Sequence, residues 1–286
     1  YNMDLTSPRT IRNIQEQFGF TFKKGLGQNF LTARNILEEI VDAAEIESGV
    51  IEVGPGFGVL TSELAQNSDK VVTIEIDERL IDVLDYTLAE YDNVKIINED
   101  ILKLDLKKVI DDEFNGEKVS IAANLPYYIT TPIITKLLEE KLPIKNIVVM
   151  VQKEVAERMS AKPSTKDYGA ITVLCQYYTE PSIVANVPAS LFVPPPKVDS
   201  AVLKLKVLDK PSVEVKDEGV FFRVVKAAFS QRRKTLLNCL SANFPIPKDE
   251  ISTLLESIGI APSRRGETLS LEEFANIADT LLQKIK

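Results

Sequence analysis

Histidine is absent from the 286 residues of this sequence, which also contains no tryptophan and only two cysteines. Without histidine, the commonest general base and a frequent zinc ligand are missing, and a Ser-His-Asp triad is excluded. Cys175 and Cys239 lack CxxC spacing, so we expect buried thiols rather than a disulfide or a metal pair. We therefore expect chemistry without imidazole and without a metal.

Long apolar runs are also missing. No segment approaches the ~20 apolar residues that are needed to cross a bilayer. The first residues lack a charged n-region followed by an apolar h-region. We therefore expect a cytoplasmic protein with no membrane partner, and its 44% of hydrophobic residues is sufficient for a sizeable core.

Charge is unevenly distributed along the chain. The formal net charge is -8, and residues 36–150 alone carry ten Lys and Arg against twenty-four Asp and Glu. The segments on either side of this block each carry a small excess of positive charge. Global acidity argues against a nucleic-acid partner, but the basic flanks allow local contact with a polyanion.

Short segments rich in valine and isoleucine recur in the first two thirds of the chain, as in buried parallel strands. They are GVIEV (49–53), VVTIEI (71–76), VKII (94–97), VSIAA (119–123) and IVVMV (147–151). Helical patterns such as ERLIDVLDYTLAEY lie between them, and residues 170–187 and 201–207 are further strand candidates. The alternation predicts a Rossmann-like α/β sheet of roughly seven strands.

From residue 208 onward the pattern becomes helical. The segments GVFFRVVKAAFSQ, KTLLNCLSANF, DEISTLLESI and SLEEFANIADTLLQKI each predict a helix, and Ser270 with Glu273 forms a capping-box pattern before the last. We therefore predict two domains, an α/β domain over residues 1–207 and a small all-helical domain over residues 208–286.

A glycine-rich loop follows the first of these strands in IEVGPGFGVLT. Glycines at 54, 56 and 58 allow a tight turn and a close approach to a ligand, just before a helix N-terminus. The dinucleotide fingerprint G-x-G-x-x-G requires glycine at position 59, which is Val59 here. The observed G-x-G-x-G, preceded by Glu52, resembles the S-adenosylmethionine loop of methyltransferases.

Carboxylates follow the next two strands. Glu75 can accept hydrogen bonds from both hydroxyls of a ribose, and Asp100 can accept one from an exocyclic amine of adenine. Ligands of such sheets bind at the carboxyl ends of the strands. The loop and the two acids together therefore predict a nucleoside-containing ligand at one edge of the sheet.

The segment AANLPYYITTP follows the fourth strand and belongs to the same edge. Asn124 offers a planar amide, Pro126 a carbonyl, and Tyr127 a ring that can stack on a base. This set suits an amino-bearing purine that is held in line with a methyl donor, with positioning as the main contribution to rate.

These motifs together resemble a known family. NLPY is similar to the [DN]-x-P-[YF] motif of amino-methyltransferases, and GQNFL (27–31), FVPPPKVDSAV (192–202), QKEVAERM (152–159) and QRRKTLLN (231–238) extend the match over nearly the whole chain. The sequence resembles the ribosomal RNA adenine dimethyltransferases, in particular those that act on the small subunit. It departs from many of them at Tyr128, where asparagine is common.

The resemblance implies a Rossmann-like S-adenosylmethionine-dependent methyltransferase that dimethylates N6 of two adjacent adenines in a 3′-terminal hairpin of small-subunit (16S) rRNA. It implies a role in small-subunit biogenesis, with an immature 30S particle as partner and a monomeric enzyme. Cofactor contacts are implied for Asn29, Leu31, Gly54, Glu75, Asp100, Ile101 and Asn124, and target-adenine contacts for Asn124, Pro126, Tyr127 and Phe192.

Basic residues near the end of the chain are candidates for RNA phosphates. They are Arg232, Arg233, Lys234, Arg264 and Arg265, with Lys23 and Lys24 as weaker candidates. A solvated helix face is the alternative interpretation of these charges.

Other functions were weighed against the same residues. A nicotinamide-dependent oxidoreductase is disfavoured by Val59 and by the lack of a histidine. A DNA adenine methyltransferase usually has proline where this chain has Leu125. A large-subunit (23S) rRNA dimethyltransferase of the macrolide-resistance type and a non-enzymatic ribosome assembly factor remain as alternatives.

Overall fold

The computed structural model describes residues 3–21 and 28–285. The chain divides into two compact units. The first contains Tyr1–Ala156 and Pro181–Val207, and the second contains Glu157–Glu180 and Leu208–Lys286. Residues 157–180 thus pack with the second unit, whereas the sequence pattern places them in the first domain.

Nine strands are assigned within the described residues. They are β1 (Phe30–Leu31), β2 (Val50–Val53), β3 (Val71–Ile74), β4 (Val94–Ile97), β5 (Val119–Asn124), β6 (Ile144–Gln152), β7 (Thr179–Val187), β8 (Phe192–Val193) and β9 (Ser200–Val207). Seven of them form one sheet in the order β4-β3-β2-β5-β6-β9-β7. Strands β2 to β6 are mutually parallel, and β9 is antiparallel to β6. The predicted seven-stranded sheet is confirmed.

Twelve α-helices are assigned in the same part of the chain. They are α1 (Pro8–Phe18), α2 (Arg34–Ala44), α3 (Val59–Gln66), α4 (Arg79–Thr87), α5 (Leu106–Phe114), α6 (Thr130–Glu139), α7 (Lys153–Met159), α8 (Ala170–Tyr178), α9 (Glu218–Ala228), α10 (Leu236–Asn243), α11 (Lys248–Ser257) and α12 (Leu271–Ile285). Among these described helices, none is long and apolar enough to span a membrane.

The central strands are buried on both faces, which explains why valine and isoleucine dominate their sequences. All four residues of β2 and all four of β3 are buried. Helix α2 packs Ile36, Leu37 and Ile40 into a core cluster that also contains residues of β2, β5, β6 and β9. Because β2 to β5 are parallel, their carboxyl ends lie along one edge of the sheet.

A two-stranded ribbon lies outside the main sheet. β1 pairs antiparallel with β8, so that Phe30 faces Val193 and Leu31 faces Phe192. The backbone N–H and the hydroxyl of Thr32 both donate to the Leu191 carbonyl at 2.8 Å. This ribbon holds the segment that contains Asn29 and Leu31.

The second unit is helical and has its own core. Phe221, Leu240, Ile251 and Phe274 from α9 to α12 are all buried in it. The predicted capping box is present, because the Ser270 N–H donates to the Glu273 carboxylate at 3.1 Å and the Glu273 N–H donates to Ser270 Oγ at 3.2 Å.

The strand predicted from residue 170 is wrong over its first half. Residues 170–178 form α8, and only Thr179–Val187 is a strand. Val173 and Tyr177 lie one helical turn apart and are both buried in the core of the second unit. Burial of this face outweighs the strand preference of the β-branched and aromatic residues in AITVLCQYY. Cys175 in this helix and Cys239 in α10 are buried and unpaired.

Candidate active site

The main cleft of the first unit lies where the parallel strands end. Its empty volume, part of which is open to solvent, is about 1280 Å³. Every residue that was predicted to hold the cofactor or the target amine lines it, namely Asn29, Leu31, Gly54, Glu75, Asp100, Ile101, Asn124, Pro126 and Tyr127. The fold therefore brings together residues that are up to 98 positions apart in the sequence.

The glycine loop turns directly after β2. Gly54 and Gly56 have φ of 72° and 58°, in the left-handed region that residues with a Cβ atom avoid. At Gly56 a Cβ atom would also lie only 2.6 Å from Cε1 of Phe30 in β1. Gly56 is therefore required both by its backbone conformation and by the close passage of the Phe30 ring.

Glu52 lies beneath this loop and is fully buried. Its carboxylate accepts hydrogen bonds from the hydroxyls of Thr61 and of Thr73, the latter at 2.8 Å. Burial raises the pKa of Glu52 to about 7, although the two hydroxyls oppose the shift. Glu52 thus connects β2 to α3 and β3, and it supports the loop from below.

Glu75 follows β3 and is also buried. One of its oxygens accepts a hydrogen bond from the backbone N–H of Asp77 at 3.0 Å. Burial raises the pKa of Glu75 to about 7, and the nearby charge of Asp77 adds to this effect. The group is a hydrogen-bond acceptor that is held in place and poorly solvated.

A short turn beside Glu75 connects it to the chain around residue 28. Asp77 accepts from Arg79 Nη2 at 2.6 Å and from Gln28 Nε2 at 3.1 Å. Arg79 also donates to the Thr21 carbonyl at 3.2 Å, and its guanidinium lies 4.5 Å from the ring centroid of Phe20. Asp77 and Arg79 therefore anchor both Thr21 and Gln28 next to the cleft.

Asp100 and Ile101 follow β4. One carboxylate oxygen of Asp100 accepts from the Leu102 N–H at 2.9 Å, which orients the side chain. Ile101 is buried and contributes an apolar surface to the same part of the cleft. A carboxylate beside an apolar wall suits a purine, which has an amine on its edge and an apolar face.

Asn124 ends β5 and points into the cleft with a defined orientation. Its Nδ2 donates to the Asn29 carbonyl at 3.2 Å. This bond fixes the orientation of the amide and leaves Oδ1 as its acceptor. No described residue donates a hydrogen bond to this Oδ1. The Pro126 carbonyl, by contrast, already accepts from Thr130 Oγ1 at 3.2 Å and from the Ile129 N–H at 3.3 Å. Asn124 is therefore the stronger candidate acceptor.

Tyr127 begins a turn of 3-10 helix directly after Pro126. Its hydroxyl is 2.6 Å from the hydroxyl of Ser200, which is buried at the start of β9. This hydrogen bond fixes the phenol ring at its far end while the ring lines the cleft. Ser200 lies in the segment FVPPPKVDSAV, but the sequence does not show its contact with Tyr127, which is 73 positions away.

Comparison with known proteins decides the family. The family model described as "Ribosomal RNA adenine dimethylase" matches residues 19–283. The chain belongs to this family. As a ribosomal RNA adenine dimethylase it is an S-adenosylmethionine-dependent methyltransferase, as the resemblance implied.

Named relatives cover nearly the whole length of this dimethylase. It is 54% identical over 285 residues to "Ribosomal RNA small subunit methyltransferase A" of Bacillus mycoides (strain KBAB4), with 98% of each chain covered. The protein of the same name from Bacillus cereus (strain B4264) has the same identity and coverage.

Two solved structures resemble it closely. A dimethyladenosine transferase from Plasmodium falciparum has a TM-score of 0.75 at 29% identity, covering 89% of this chain and 98% of that chain. The 23S rRNA methyltransferase ErmE has a TM-score of 0.67 at 28% identity, covering 89% of this chain and 100% of that chain.

Two of the predicted RNA contacts of the dimethylase are engaged within the second unit. Arg232 pairs with Glu267 at 3.1 Å and donates to the carbonyls of Lys166 and Tyr168. Arg264 makes a two-armed ion pair with Glu273 and donates to the Thr268 carbonyl at 2.8 Å. These two arginines fix the loops that carry them.

The other basic candidates differ in their surroundings. Arg233, Lys234 and Arg265 are exposed, and none of them forms a salt bridge with another described residue. Backbone bonds from the Leu236 and Leu237 N–H groups to the carbonyls of Arg264 and Pro262 join the two basic loops. Lys23 and Lys24 lie outside the described residues.

Phe192 does not line the cleft. Its side chain is 2% exposed and packs in the core cluster around α2. The structure therefore offers no ring face of Phe192 to a base, because the apolar packing of the β1–β8 ribbon covers it. Among the described residues, no group of three acidic, histidine or cysteine side chains could hold a metal ion.

Proposed function

We propose that this dimethylase transfers methyl groups from S-adenosylmethionine to N6 of two adjacent adenines in a 3′-terminal hairpin of small-subunit (16S) rRNA. The names of the 54% identical relatives support the choice of subunit. The observation that carries the chemistry is that Asn124 lines the same cleft as Glu75 and Asp100, with its Nδ2 bound to the Asn29 carbonyl and with no described residue donating to its Oδ1. An immature 30S particle is the proposed partner of a cytoplasmic, monomeric enzyme that contributes to small-subunit biogenesis.

The residues of the cleft fit the methyl donor. Glu75 accepts hydrogen bonds from the ribose hydroxyls, Asp100 accepts one from the adenine amine, and Ile101 contacts the base. The backbone at Asn29, Leu31 and Gly54 holds the methionine end, because its N–H groups can donate to the carboxylate and its carbonyls can accept from the amine. When bound, S-adenosylmethionine supplies a methyl group on a positively charged sulfur.

The chain prepares the target amine by hydrogen bonding. An exocyclic amine of adenine is a weak nucleophile because its lone pair is delocalised into the ring. Acceptance of one N–H by Asn124 Oδ1 localises this lone pair on the nitrogen. The Pro126 carbonyl accepts the second N–H in place of one of its bonds from Thr130 Oγ1 or the Ile129 N–H. No basic side chain is needed, because the nitrogen becomes strongly acidic once it is alkylated and then releases its proton to water.

Tyr127 holds the base that has left its stack. Extrusion of a base costs a few kcal/mol. Stacking on an aromatic ring returns about 1 to 3 kcal/mol. The hydrogen bond to Ser200 keeps the ring in place before the base arrives.

The second unit supplies phosphate contacts in this proposal. Arg233, Lys234 and Arg265 are the exposed cations of the two joined loops, whereas Arg232 and Arg264 hold these loops in shape. Charge reversal of Arg233 and Lys234 should therefore reduce the salt dependence of RNA binding, since each lost phosphate contact lowers the slope of log K against log salt by about 1. A slope equal to that of the wild type would remove these residues from the interface.

A large-subunit substrate is the second candidate, because the structure of the 23S rRNA methyltransferase ErmE aligns with 89% of this chain at a TM-score of 0.67. The deciding experiment compares tritium transfer from labelled S-adenosylmethionine to under-modified small-subunit particles and to 23S rRNA, with the modified nucleotides mapped. Two dimethylated adenines in the small-subunit hairpin are expected. Modification of 23S rRNA alone would refute the proposed substrate, and no transfer to either would favour an assembly factor.

Asn124→Ala tests the chemistry within the same assay. We expect transfer to fall by at least about a hundredfold, because a lost acceptor in a preorganised site costs roughly 3 kcal/mol. Calorimetry should still show binding of S-adenosylhomocysteine. A parallel loss of cofactor affinity would make Asn124 a binding residue rather than a catalytic one. Tyr127→Phe, which keeps the ring and removes only the bond to Ser200, should reduce transfer to rRNA far less than Asn124→Ala.

A further inference from the structure

Three large apolar side chains are exposed at one place in the first unit. Ile76, Leu102 and Tyr128 are 52%, 37% and 54% exposed, and all three line the cleft of the active site. Single exposed apolar residues are ordinary on protein surfaces. Three around one cleft are typical of a rim that a ligand covers.

Tyr128 differs from its neighbour Tyr127 in what holds it. The Tyr127 hydroxyl is bound to Ser200, whereas no described residue forms a hydrogen bond with the Tyr128 hydroxyl. Burial raises the pKa of Tyr128, and the charges of Asp100 and Glu75 raise it further. The phenol is thus protonated at neutral pH, and it lies within electrostatic range of both carboxylates.

We propose that the Tyr128 side chain closes the nucleoside end of the cofactor cleft and increases the affinity for the adenosine part of the methyl donor. This inference rests on the proposed cofactor positions of Glu75 and Asp100. Tyr128 is thus assigned as a further cofactor-binding residue.

The place of Tyr128 in the cleft favours adenosine over an RNA base as the occupant. Tyr128 lines the same cleft as Ile76 and Leu102, which follow Glu75 and Asp100 at the ends of β3 and β4, and the charges of these two acids contribute to its raised pKa. The target amine, in contrast, is proposed to meet Asn124 and Tyr127 at the end of β5. A flat base with a ribose presents an apolar face and several hydroxyls, which match a phenol ring beside two carboxylates.

The test uses the full chain and calorimetry with two probes, S-adenosylhomocysteine and adenosine. We expect Tyr128→Ala to weaken the binding of both by about tenfold, a loss in the middle of the range for base–aromatic contacts. Tyr128→Asn should behave like Tyr128→Ala, and Tyr128→Phe should stay within about twofold of wild type because it keeps the ring. Tyr86→Ala, which removes another exposed tyrosine ring outside the cleft lining, should change neither affinity.

Two results would overturn the inference. Unchanged affinity for both probes in Tyr128→Ala, with an increased KM for rRNA, would assign the ring to an RNA base. An affinity loss for S-adenosylhomocysteine without a loss for adenosine would place the ring on the amino-acid end. If the wild-type protein bound neither probe, the proposed function would fail instead, so the two failures are distinguishable.

Discussion

Gly56→Ala perturbs the cofactor cleft through a single added methyl group. Alanine at a φ of 58° costs about 1 kcal/mol of backbone strain. Its Cβ would also meet the Phe30 ring at 2.6 Å, and this ring is buried and stacked on Phe57 with centroids 4.3 Å apart. Disturbing an aromatic pair adds about 0.5 to 1.5 kcal/mol. A total of about 2 kcal/mol should lower the Tm by roughly 4 to 8 °C.

The larger effect should appear in cofactor binding. Phe30 lies between Asn29 and Leu31, so the displacement of its ring moves the backbone that is proposed to hold the methionine end. We expect the Kd for S-adenosylhomocysteine to rise by at least about tenfold, as measured by calorimetry. Phe30→Leu should relieve the clash, so that the double variant loses less than the sum of the single ones.

Gly116→Ala provides the matched control in the same unit. Its φ of 72° imposes the same kind of strain, but the added Cβ meets only the Asp111 carboxylate at 3.3 Å, and this side chain can rotate. We expect a loss of about 1 kcal/mol in stability and unchanged cofactor affinity. Equal effects of the two substitutions on affinity would refute the role of the Phe30 contact.

Three further predictions concern other contacts. The pKa of Glu75 is raised from 4.5 to about 7, so the stability that the Glu75 carboxyl group contributes is present below pH 4.5 and is lost as the pH rises through 7. Glu75→Gln should therefore flatten the pH dependence of the urea midpoint in this window. Arg264→Ala should lower the free energy of unfolding by about 1 to 2 kcal/mol, whereas Arg265→Ala should change it by less than about 0.5 kcal/mol. Arg79→Ala should weaken binding of S-adenosylhomocysteine several-fold, and Arg79→Lys should not restore it, because lysine cannot replace the bonds from Arg79 Nε at 3.0 Å and Nη2 at 2.6 Å to the two Asp77 oxygens.

The positions of the parallel strands could be predicted almost to the residue. A strand buried on both faces must be largely apolar, and IVVMV at 147–151, which lies wholly inside β6 and is buried throughout, satisfies this condition without help from the rest of the chain. The acids at strand ends followed from the same topology, because parallel strands place Glu75 and Asp100 at one edge. These predictions depended on local pattern and on one general rule of sheet architecture.

Contacts between distant residues could not be predicted in this way. The sequence shows that Arg232 and Arg264 are basic but does not show that Glu267 and Glu273 neutralise them. It likewise cannot distinguish an aromatic ring in the core, as in Phe192, from one at a cleft, as in Tyr127. The choice of helix for residues 170–178 also depends on a partner surface in α9, which lies about 40 positions further along the chain.

The β1–β8 ribbon sets the order in which the active site can assemble during synthesis. Thr32 and Leu191, which the ribbon joins, are separated by 159 residues. At about 5 to 20 residues per second, translation needs roughly 8 to 30 seconds to cover this distance. Until Phe192 has left the ribosome, the segment that contains Asn29 has no partner strand. The proposed cofactor contacts at Asn29 and Leu31 therefore form late, after most of the first unit has been synthesised.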